Sequence, residues 1–356
     1  MPRSRRAPLT LLLPLLLAAC TGTEETLPPL RLAVLTEGGS ALRLLTLSAV
    51  DSAGGGTVTA DARVPVTEGV DVDALPSGRT FALTRAAGVE VRAGDGSLGA
   101  PFATPPFTPC LKAAVTSAAR DRLLTFSGCP NDAGRLALYR ADGTLIWTAL
   151  LPLDLPPAAT PDTPPLRLAV QGDVAVMARA RLGGGSEVMR VAVQTPGDAE
   201  ARVSDPRPTV AIRDLAPYGT QIVAATDAGL QPLTETGEPN PAGTLAAFGT
   251  GRYDRVWTGA GGARTLIAAW RDNRLSGNAW EPLRLWDGRL TTAATVTATA
   301  SGLRDLTFTP DGLLYTLSET TLTQFDSVSG LNGGTWKERR ILSDLTGARA
   351  LTWLVP

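Results

Sequence analysis

The amino-acid sequence predicts an all-β chain that is built from a repeated set of short strands. From residue 30 onward, short apolar runs are separated by Gly, Pro, Asp and Asn, and many runs alternate with a period of two. Examples are the run 135–140 before Asp142-Gly143 and the run 264–270 before Asp272-Asn273. Threonine and valine are frequent in these runs, as half-buried strands favour, and no long helical periodicity appears. Together these observations indicate an all-β fold.

The strand runs recur in sets along the chain. Three sets share an apolar run with an Asp, followed by a Pro-x-Gly turn, and begin at residues 72, 212 and 303. With three looser copies, successive sets start at residues 70, 112, 166, 212, 256 and 303. The longest interval contains the proline-rich stretch 152–165, which we interpret as a loop. A repeat of about 40–50 residues with four strands is typical of one blade of a β-propeller.

The two ends of the chain predict how the ring closes. The run 347–353 repeats the pattern of 302–308, and the chain stops after this one strand. The N-terminal part offers three strands, within 32–35, 42–47 and 57–66, without an innermost strand before them. One C-terminal strand and three N-terminal strands would complete a seventh blade and remove exposed edges. We therefore predict a single propeller of seven four-stranded blades over residues 30–356; six or eight blades would require a different interpretation of 152–210.

One stretch carries a family resemblance. The segment 137–147, with its Ala-Leu, Gly143 and Trp147, resembles the outer strands of a quinoprotein-type (PQQ-like) repeat, and 285–288 resembles it faintly. Such repeats occur in the propeller lipoprotein of the outer-membrane β-barrel assembly machinery and in quinoprotein dehydrogenases. The resemblance implies the propeller fold and, through the lipoprotein, scaffolding of envelope proteins. WD-type repeats are a looser comparison because their histidine is missing.

The first twenty residues predict export and lipid attachment. Arg3, Arg5 and Arg6 precede a short apolar region at 7–18, which is too short to span a membrane. The segment ends in Leu-Ala-Ala followed by Cys20, which resembles the lipobox of bacterial lipoproteins. The resemblance implies cleavage of a signal peptide at 1–19, lipidation of Cys20 and a tether at 20–29. We expect a chain anchored to the cell envelope outside the cytoplasm; the alternative is an ordinary signal peptide with an incidental cysteine.

The composition excludes several classes of chemistry. The chain contains no histidine, so metal sites with histidine ligands and catalysis by Ser-His-Asp or Cys-His groups are excluded. Its formal net charge is −1, and loss of the signal arginines would make the chain more acidic, which gives no electrostatic basis for binding nucleic acid. No nucleophile elbow or phosphate-binding loop is present, and we identify no catalytic residue.

The two remaining cysteines, Cys110 and Cys129, predict a disulfide. They flank an expected hairpin that turns around Ala119-Arg120, and both lie at the same distance from that turn. Antiparallel pairing would set them opposite each other, and an oxidising compartment would join them. The alternative, a reactive thiol pair, lacks the close spacing and electropositive setting that lower a thiol pKa.

Acidic residues form the first candidate site. Asp73, Asp214 and Asp305 are expected at equivalent places on the innermost strands of three blades, where they could ring the channel mouth and bind a cation such as Ca²⁺. The alternative is that each accepts backbone hydrogen bonds or pairs with a neighbouring arginine, Arg213 or Arg304. Alanines at the corresponding positions 113 and 350 argue against a complete ring.

Tryptophans form the second candidate site. Trp257, Trp270, Trp280 and Trp286 fall within one blade, and their flat apolar faces would suit a sugar or peptide ligand. The alternative is that they fill the space between blades as core. We expect Trp280 to be the exposed member because a long polar loop, 273–279, precedes it.

These observations favour a non-enzymatic, lipid-anchored, monomeric propeller that binds or scaffolds an envelope protein partner, with no cofactor apart from the calcium considered above. Two alternatives stay open. One is an extracytoplasmic enzyme of the hydrolase, lyase or calcium-dependent lactonase type, and the other is a module that binds sugars or peptides through the tryptophan blade.

Overall fold

The computed structural model describes residues 30–47, 58–130, 132–152, 166–181, 183–261, 264–272, 282–297 and 300–355. Within them, antiparallel strands form seven separate sheets. The innermost strand of each sheet contacts the innermost strands of the sheets before and after it, so the seven sheets surround a central channel. The seven-bladed β-propeller predicted from the repeat is therefore confirmed.

The first blade joins the two ends of the chain. It contains β1 (Arg31–Thr36), β2 (Ala41–Leu47), β3 (Val58–Pro65) and the last strand, β27 (Ala350–Leu354). The strand order is β27-β1-β2-β3, and β27 pairs antiparallel with β1. One C-terminal strand and three N-terminal strands thus share one sheet, as the sequence predicted.

The other six blades follow in chain order. Blade 2 contains β4 (Gly69–Ala74), β5 (Thr80–Arg85) and β6 (Gly88–Ala93). Blade 3 contains β7 (Leu111–Thr116), β8 (Arg122–Ser127), β9 (Arg135–Arg140) and β10 (Leu145–Leu150). Blade 4 contains β11 (Leu166–Gln171), β12 (Val174–Ala180), β13 (Ser186–Ala192), β14 (Arg202–Val203) and β15 (Arg207–Thr209). Blade 5 contains β16 (Ile212–Tyr218), β17 (Gln221–Thr226) and β18 (Gly229–Pro232). Blade 6 contains β19 (Arg255–Gly261), β20 (Arg264–Trp270), β21 (Leu283–Trp286) and β22 (Ala294–Thr297). Blade 7 contains β23 (Leu303–Phe308), β24 (Leu313–Ser318), β25 (Leu322–Asp326) and β26 (Glu338–Leu342). The short helix α1 (Ser327–Gly333) connects β25 to β26, and no helix in the described ranges has the length and apolar character needed to cross a membrane.

The blades are not all four-stranded, which differs from the prediction. In the described residues, blades 2 and 5 have three strands and blade 4 has five. The segments that follow β6 and β18 carry prolines where a fourth strand was expected, at 101, 105, 106 and 109 and at 239 and 241. Proline lacks the N–H donor that a continuous ladder needs, so these segments make only isolated bridges and single backbone hydrogen bonds to β6 and β18 and form no fourth strand. The expected loop at 152–165 lies almost entirely outside the described residues.

The apolar core lies between neighbouring blades. Leu32 to Leu35 of β1 are all fully buried, because a blade in the ring is covered on both faces. This explains why the run is continuously apolar and does not alternate. Between blades 3 and 4, the fully buried Trp147 packs among leucines and methionines, and its Nε1 donates a hydrogen bond to the carbonyl oxygen of Asp173 at 3.0 Å.

The predicted disulfide is confirmed. Cys110 and Cys129 are bonded, with their Cα atoms 5.1 Å apart, at the open end of the β7–β8 hairpin. The Gly128 backbone N–H donates to the carbonyl oxygen of Cys110 at 3.0 Å, which continues the ladder as far as the bridge. The hairpin therefore sets the two cysteines opposite each other.

Candidate functional site

The central channel is the candidate site. It has a volume of about 660 Å³ and is lined by residues from all seven innermost strands: β4, β7, β11, β16, β19, β23 and β27. This volume lies in the range of small-molecule pockets. Eight charged side chains line the channel, four acidic and four basic: Asp71, Asp73, Asp214, Asp305, Lys112, Arg120, Arg167 and Arg255.

A β-bulge brings three of the acids to the channel wall. The pairing register between first and second strands skips one residue just before Asp71, Asp214 and Asp305 in blades 2, 5 and 7. A bulge of this kind redirects the side chain that follows it. Ala113 holds the corresponding place in blade 3, so the ring of acids is incomplete, as predicted.

The bulge also corrects one expectation from the sequence. Asp71, and not Asp73, is the equivalent of Asp214 and Asp305. Asp73 lies two residues further along β4 and lines the channel as well, because alternate residues of a strand share a face. The spacing to the turn gave two conflicting signals: Asp71 precedes Pro76 by the five residues that separate Asp305 from Pro310, whereas Asp73 precedes Pro76 by the three residues that separate Asp214 from Pro217.

Asp305 joins neighbouring blades. Its Oδ1 accepts hydrogen bonds from the backbone N–H of Leu306 at 2.8 Å and from Nε1 of Trp257 at 3.2 Å. Its Oδ2 accepts one from the backbone N–H of Leu351 at 2.7 Å. Burial raises the pKa of Asp305 to about 6, against the opposing effect of these donors and of Arg255. Both oxygens are therefore used within the protein.

Asp214 belongs to a second satisfied network. Its Oδ2 accepts from Nε of Arg255 at 2.9 Å and from the backbone N–H of Val256 at 3.1 Å. Nε of Arg167 lies 3.6 Å from Oδ1 and donates a hydrogen bond to the carbonyl oxygen of Arg213. Burial lowers the pKa of Arg167 to about 10, although Asp214 opposes the shift. Backbone donors and Arg255 thus hold this carboxylate.

The arginines that were expected to pair with the acids bind elsewhere. Arg213 forms an ion pair with Asp227 at 2.6 Å, and Arg304 forms one with Glu319 at 3.1 Å. Both Asp214 and Asp305 do accept hydrogen bonds from backbone N–H groups, as the alternative to a cation site had proposed.

The carboxylates of blade 2 differ from those two. Oδ1 of Asp73 accepts from Oγ1 of Thr116 at 3.1 Å, whereas its Oδ2 is buried and has no hydrogen-bond partner. Burial raises the pKa of Asp73 to about 6, and the charge of Asp305 adds to the shift while Thr116 and Arg120 oppose it. Oδ1 of Asp71 accepts from the Val72 backbone N–H at 2.8 Å. Burial, then the charges of Asp73 and Asp305, also raise the pKa of Asp71 well above its usual range.

Arg120 faces the channel from the β7–β8 turn. Its backbone has φ = 58°, a left-handed conformation that is uncommon for a residue other than glycine. The guanidinium carbon lies 4.4 Å from the ring centroid of Trp353, and burial lowers the pKa of Arg120 while the charge of Asp73 opposes that shift. Among the residues that the structure describes, this guanidinium donates no hydrogen bond, and the buried Nε1 of Trp353 also has no partner.

The tryptophans expected to form a ligand platform do not share one surface. Trp257 lines the channel, beneath the guanidinium of Arg255 at 4.8 Å. Trp270 is only 3% exposed, and Trp286 packs against Tyr218 and Phe248 in a different interblade cluster. Trp280 and the loop 273–279 lie outside the described residues. Core packing therefore accounts for two of the three tryptophans whose positions are described.

The structure gives no ligand set for the calcium hypothesis. Within the described ranges, no group of three or more acidic or cysteine side chains is arranged to hold a metal ion. Asp214 and Asp305 already have donors on their oxygens. Calcium at the channel mouth stays a prediction.

Comparisons with known proteins extend only to the fold. No protein-family model matches the chain, and no curated protein sequence matches it. The solved structure of apo AztD from Citrobacter koseri is 12% identical, covers 90% of this chain and 83% of its own, and has a TM-score of 0.52. A putative 6-phosphogluconolactonase from Bacteroides fragilis is 13% identical, covers 92% of this chain and 98% of its own, and has a TM-score of 0.56. At such identities the likeness shows a shared fold and no shared activity.

Proposed function

We propose that this chain is a lipid-anchored binding protein of the bacterial cell envelope that holds a small polar ligand in its central channel. The observation that carries the proposal is a channel of about 660 Å³ that is lined by Asp73, whose Oδ2 is buried without a hydrogen-bond partner among the described residues. The guanidinium of Arg120, beside the ring of Trp353, lines the same channel. A buried polar atom without a partner is unfavourable, by about 1–3 kcal/mol. Such a group is retained where a ligand or solvent compensates it.

The location rests on the N-terminal sequence. The Leu-Ala-Ala motif before Cys20 supports lipidation, and residues 20–29 would tether the propeller to the membrane. The resemblance of the repeat to that of an envelope assembly lipoprotein supports a protein partner on the same membrane. In this proposal the ring is a rigid frame that holds the channel, and the lipid holds the ring at the envelope.

The binding half of the proposal is tested by thermal unfolding in the presence of polar metabolites grouped by charge: amines, organic acids, sugars, amino acids and peptides. A ligand at 100 times its Kd should stabilise the protein by about 2.7 kcal/mol. The variant designed to obstruct the channel is Ala119→Trp, because Ala119 lies in the turn beside Arg120 and borders the channel, and its exposure allows a larger side chain without disturbing the core. Stabilisation by one class that is lost in Ala119→Trp supports the proposal. If no class stabilises the protein, or Ala119→Trp responds equally, the proposal is wrong.

The envelope half is tested on the lipidated protein in its native membrane. Incorporation of labelled palmitate that Cys20→Ala abolishes would support the anchor. A crosslinked envelope protein that is recovered with the lipidated chain, and lost in Cys20→Ala, would support a membrane partner. A labelled Cys20→Ala chain would contradict the anchor.

A second function is favoured by one observation. Asp73 and Asp305 have pKa values raised to about 6 in the same channel, a range suited to general acid–base catalysis. Because both oxygens of Asp305 are occupied by donors, Asp73 is the group that could transfer a proton. Any stabilising compound from the screen should therefore be followed for turnover, with and without a calcium chelator. Turnover that Asp73→Asn abolishes would favour a hydrolase or lyase over a binding protein.

A further inference from the structure

The charged groups of the channel divide into those that the protein satisfies and those that it leaves available. Asp214 with Arg255, and Asp305 with its three N–H donors, have hydrogen-bond partners within the ring. The available groups lie on adjacent blades: the carboxylates of Asp71 and Asp73 on β4, and, on blade 3, the guanidinium of Arg120 in the β7–β8 turn and the ammonium of Lys112 on β7. Arg120 is the cation whose pKa responds to the charge of Asp73. A ligand would therefore meet acceptors on one blade and a cationic donor on the next.

The acceptor side calls for a cation. Asp71 and Asp73 lie two residues apart on one strand face. The charges of Asp73 and Asp305 disfavour ionisation of Asp71, and the charge of Asp305 disfavours ionisation of Asp73. A hydroxyl group could donate to Oδ2 of Asp73 but would leave that repulsion unchanged. An ammonium group brings three donors and a positive charge, so it can both donate a hydrogen bond to Oδ2 of Asp73 and reduce the repulsion between the carboxylates. A metal ion is less suited, since the described residues include no group of three acidic or cysteine ligands around one point.

The donor side calls for a carboxylate. The guanidinium carbon of Arg120 lies 4.4 Å from the ring centroid of Trp353, which holds the group at the channel wall, and a planar fork of N–H donors matches a carboxylate in a bidentate arrangement. Arg120 and Asp73 attract each other, but Oδ2 of Asp73 accepts no hydrogen bond from Arg120. The opposite charges on neighbouring blades thus remain unpaired in the protein.

We infer that the channel binds a zwitterion, an amino acid or short peptide, whose ammonium group lies between Asp71 and Asp73 and whose carboxylate group is held by Arg120. This inference rests on the proposed function and names the ligand class for the same channel. Amino acids and peptides share the two terminal groups and differ in the distance between them. A length series from alanine to tetraalanine therefore measures the spacing that the channel accepts.

Proton linkage gives the inference a second readout. The charged groups that face the channel are Asp71, Asp73, Asp214, Asp305, Lys112, Arg120, Arg167 and Arg255. An ammonium group that binds the ionised carboxylates must displace the protons that they hold at low pH, and for Asp73 burial raises the pKa to about 6. Affinity for the zwitterion should then rise between pH 5 and pH 8, and binding should release protons.

The experiment measures binding of trialanine by calorimetry, with N-acetyl-trialanine and trialanine amide as probes that each lack one charge. We expect each capped peptide to bind about tenfold more weakly, or worse, than trialanine. Asp73→Asn should remove the discrimination against the acetylated peptide only, and Arg120→Gln the discrimination against the amide only. Arg304→Gln is the matched control, because Arg304 pairs with Glu319 and does not line the channel; it should bind all three peptides as the parent does.

The outcomes separate this inference from the proposed function. Binding of a sugar or an organic acid in the channel, sensitive to Ala119→Trp, with no binding of any member of the alanine series, would overturn the zwitterion and leave the binding function standing. Equal affinity for the capped and free peptides would also overturn it. If no compound of any class binds, both are wrong.

Discussion

Replacement of Asp73 by Asn should stabilise this protein at neutral and alkaline pH. The Asp73 carboxylate is held in the channel wall with its Oδ2 unpartnered, and burial raises its pKa from 3.8 to about 6. An asparagine keeps the shape and can keep the hydrogen bond from Thr116 while it removes the charge. The folded protein would no longer hold an ionised carboxylate against Asp71 and Asp305.

The sign and size follow from proton linkage. A carboxyl group whose pKa is higher in the folded state favours folding most when it is protonated, and this contribution is lost as the pH rises from about 4 through about 6. A shift of about 2 pKa units corresponds to about 3 kcal/mol, which is the largest gain that Asp73→Asn could give at pH 8. For a propeller of about 300 residues, that gain would raise the Tm by about 4–5 °C. Below pH 4 the parent and the variant should unfold alike.

The assay is thermal unfolding between pH 4 and pH 8, with Asp305→Asn as the contrast. The pKa of Asp305 is also raised to about 6, yet its oxygens accept three N–H donors. An amide must turn its NH₂ group toward at least one of those donors, so Asp305→Asn should lose about 1–3 kcal/mol at pH 4, where Asp73→Asn is neutral. At pH 8 removal of the Asp305 charge offsets this loss by up to about 3 kcal/mol, so Asp305→Asn should gain less than Asp73→Asn at each pH. The reasoning is refuted if Asp73→Asn is less stable than the parent at pH 8, or if its gain does not depend on pH.

Three further predictions concern the ring itself. Replacing both Cys110 and Cys129 by Ser should lower the free energy of unfolding by about 3 kcal/mol in the chain-entropy view, for a sequence separation of 19 residues, measured by urea unfolding against the oxidised parent. Deletion of residues 350–356 removes β27 and exposes the edge of β1, so we expect loss of the cooperative transition and aggregation in size-exclusion chromatography. Gly39→Ala should cost about 3 kcal/mol or more in thermal unfolding, because φ is 95° there and an added Cβ would collide with the carbonyl oxygen of Gly69; a change below about 1 kcal/mol would contradict this steric argument.

The sequence predicted the innermost strands closely because their signals are local. Repeat starts at 166, 212 and 303 coincide with the first residues of β11, β16 and β23. The predicted sharing of one blade between the chain ends also holds, since an incomplete set of strands at each end leaves few other partners. The prediction of four strands in every blade was wrong. Prolines after β6 and β18 remove backbone N–H donors, and the length of the repeat gives no sign of this loss.

The site was only partly predictable. Asp73, Asp214, Asp305 and Trp257 do line the channel, whereas Asp71 and Arg120 were missed. Asp71 was missed because a bulge changes the count of alternating residues along the strand. Arg120 was missed because a turn residue has no periodic pattern that indicates its direction.

By itself, the sequence determined that the chain is a closed ring of short strands and that two cysteines meet across one hairpin. Strand periodicity, turn residues and hairpin symmetry act between residues that are close along the chain, so they can be read from the chain alone. Only the tertiary structure decided which charges have partners. Asp214 meets Arg255 from the next blade, Asp305 meets Leu351, and Asp73 faces Arg120 without bonding to it. Hydrogen-bond satisfaction depends on distances of a few ångströms across the ring, and those distances exist only once the seven blades have closed.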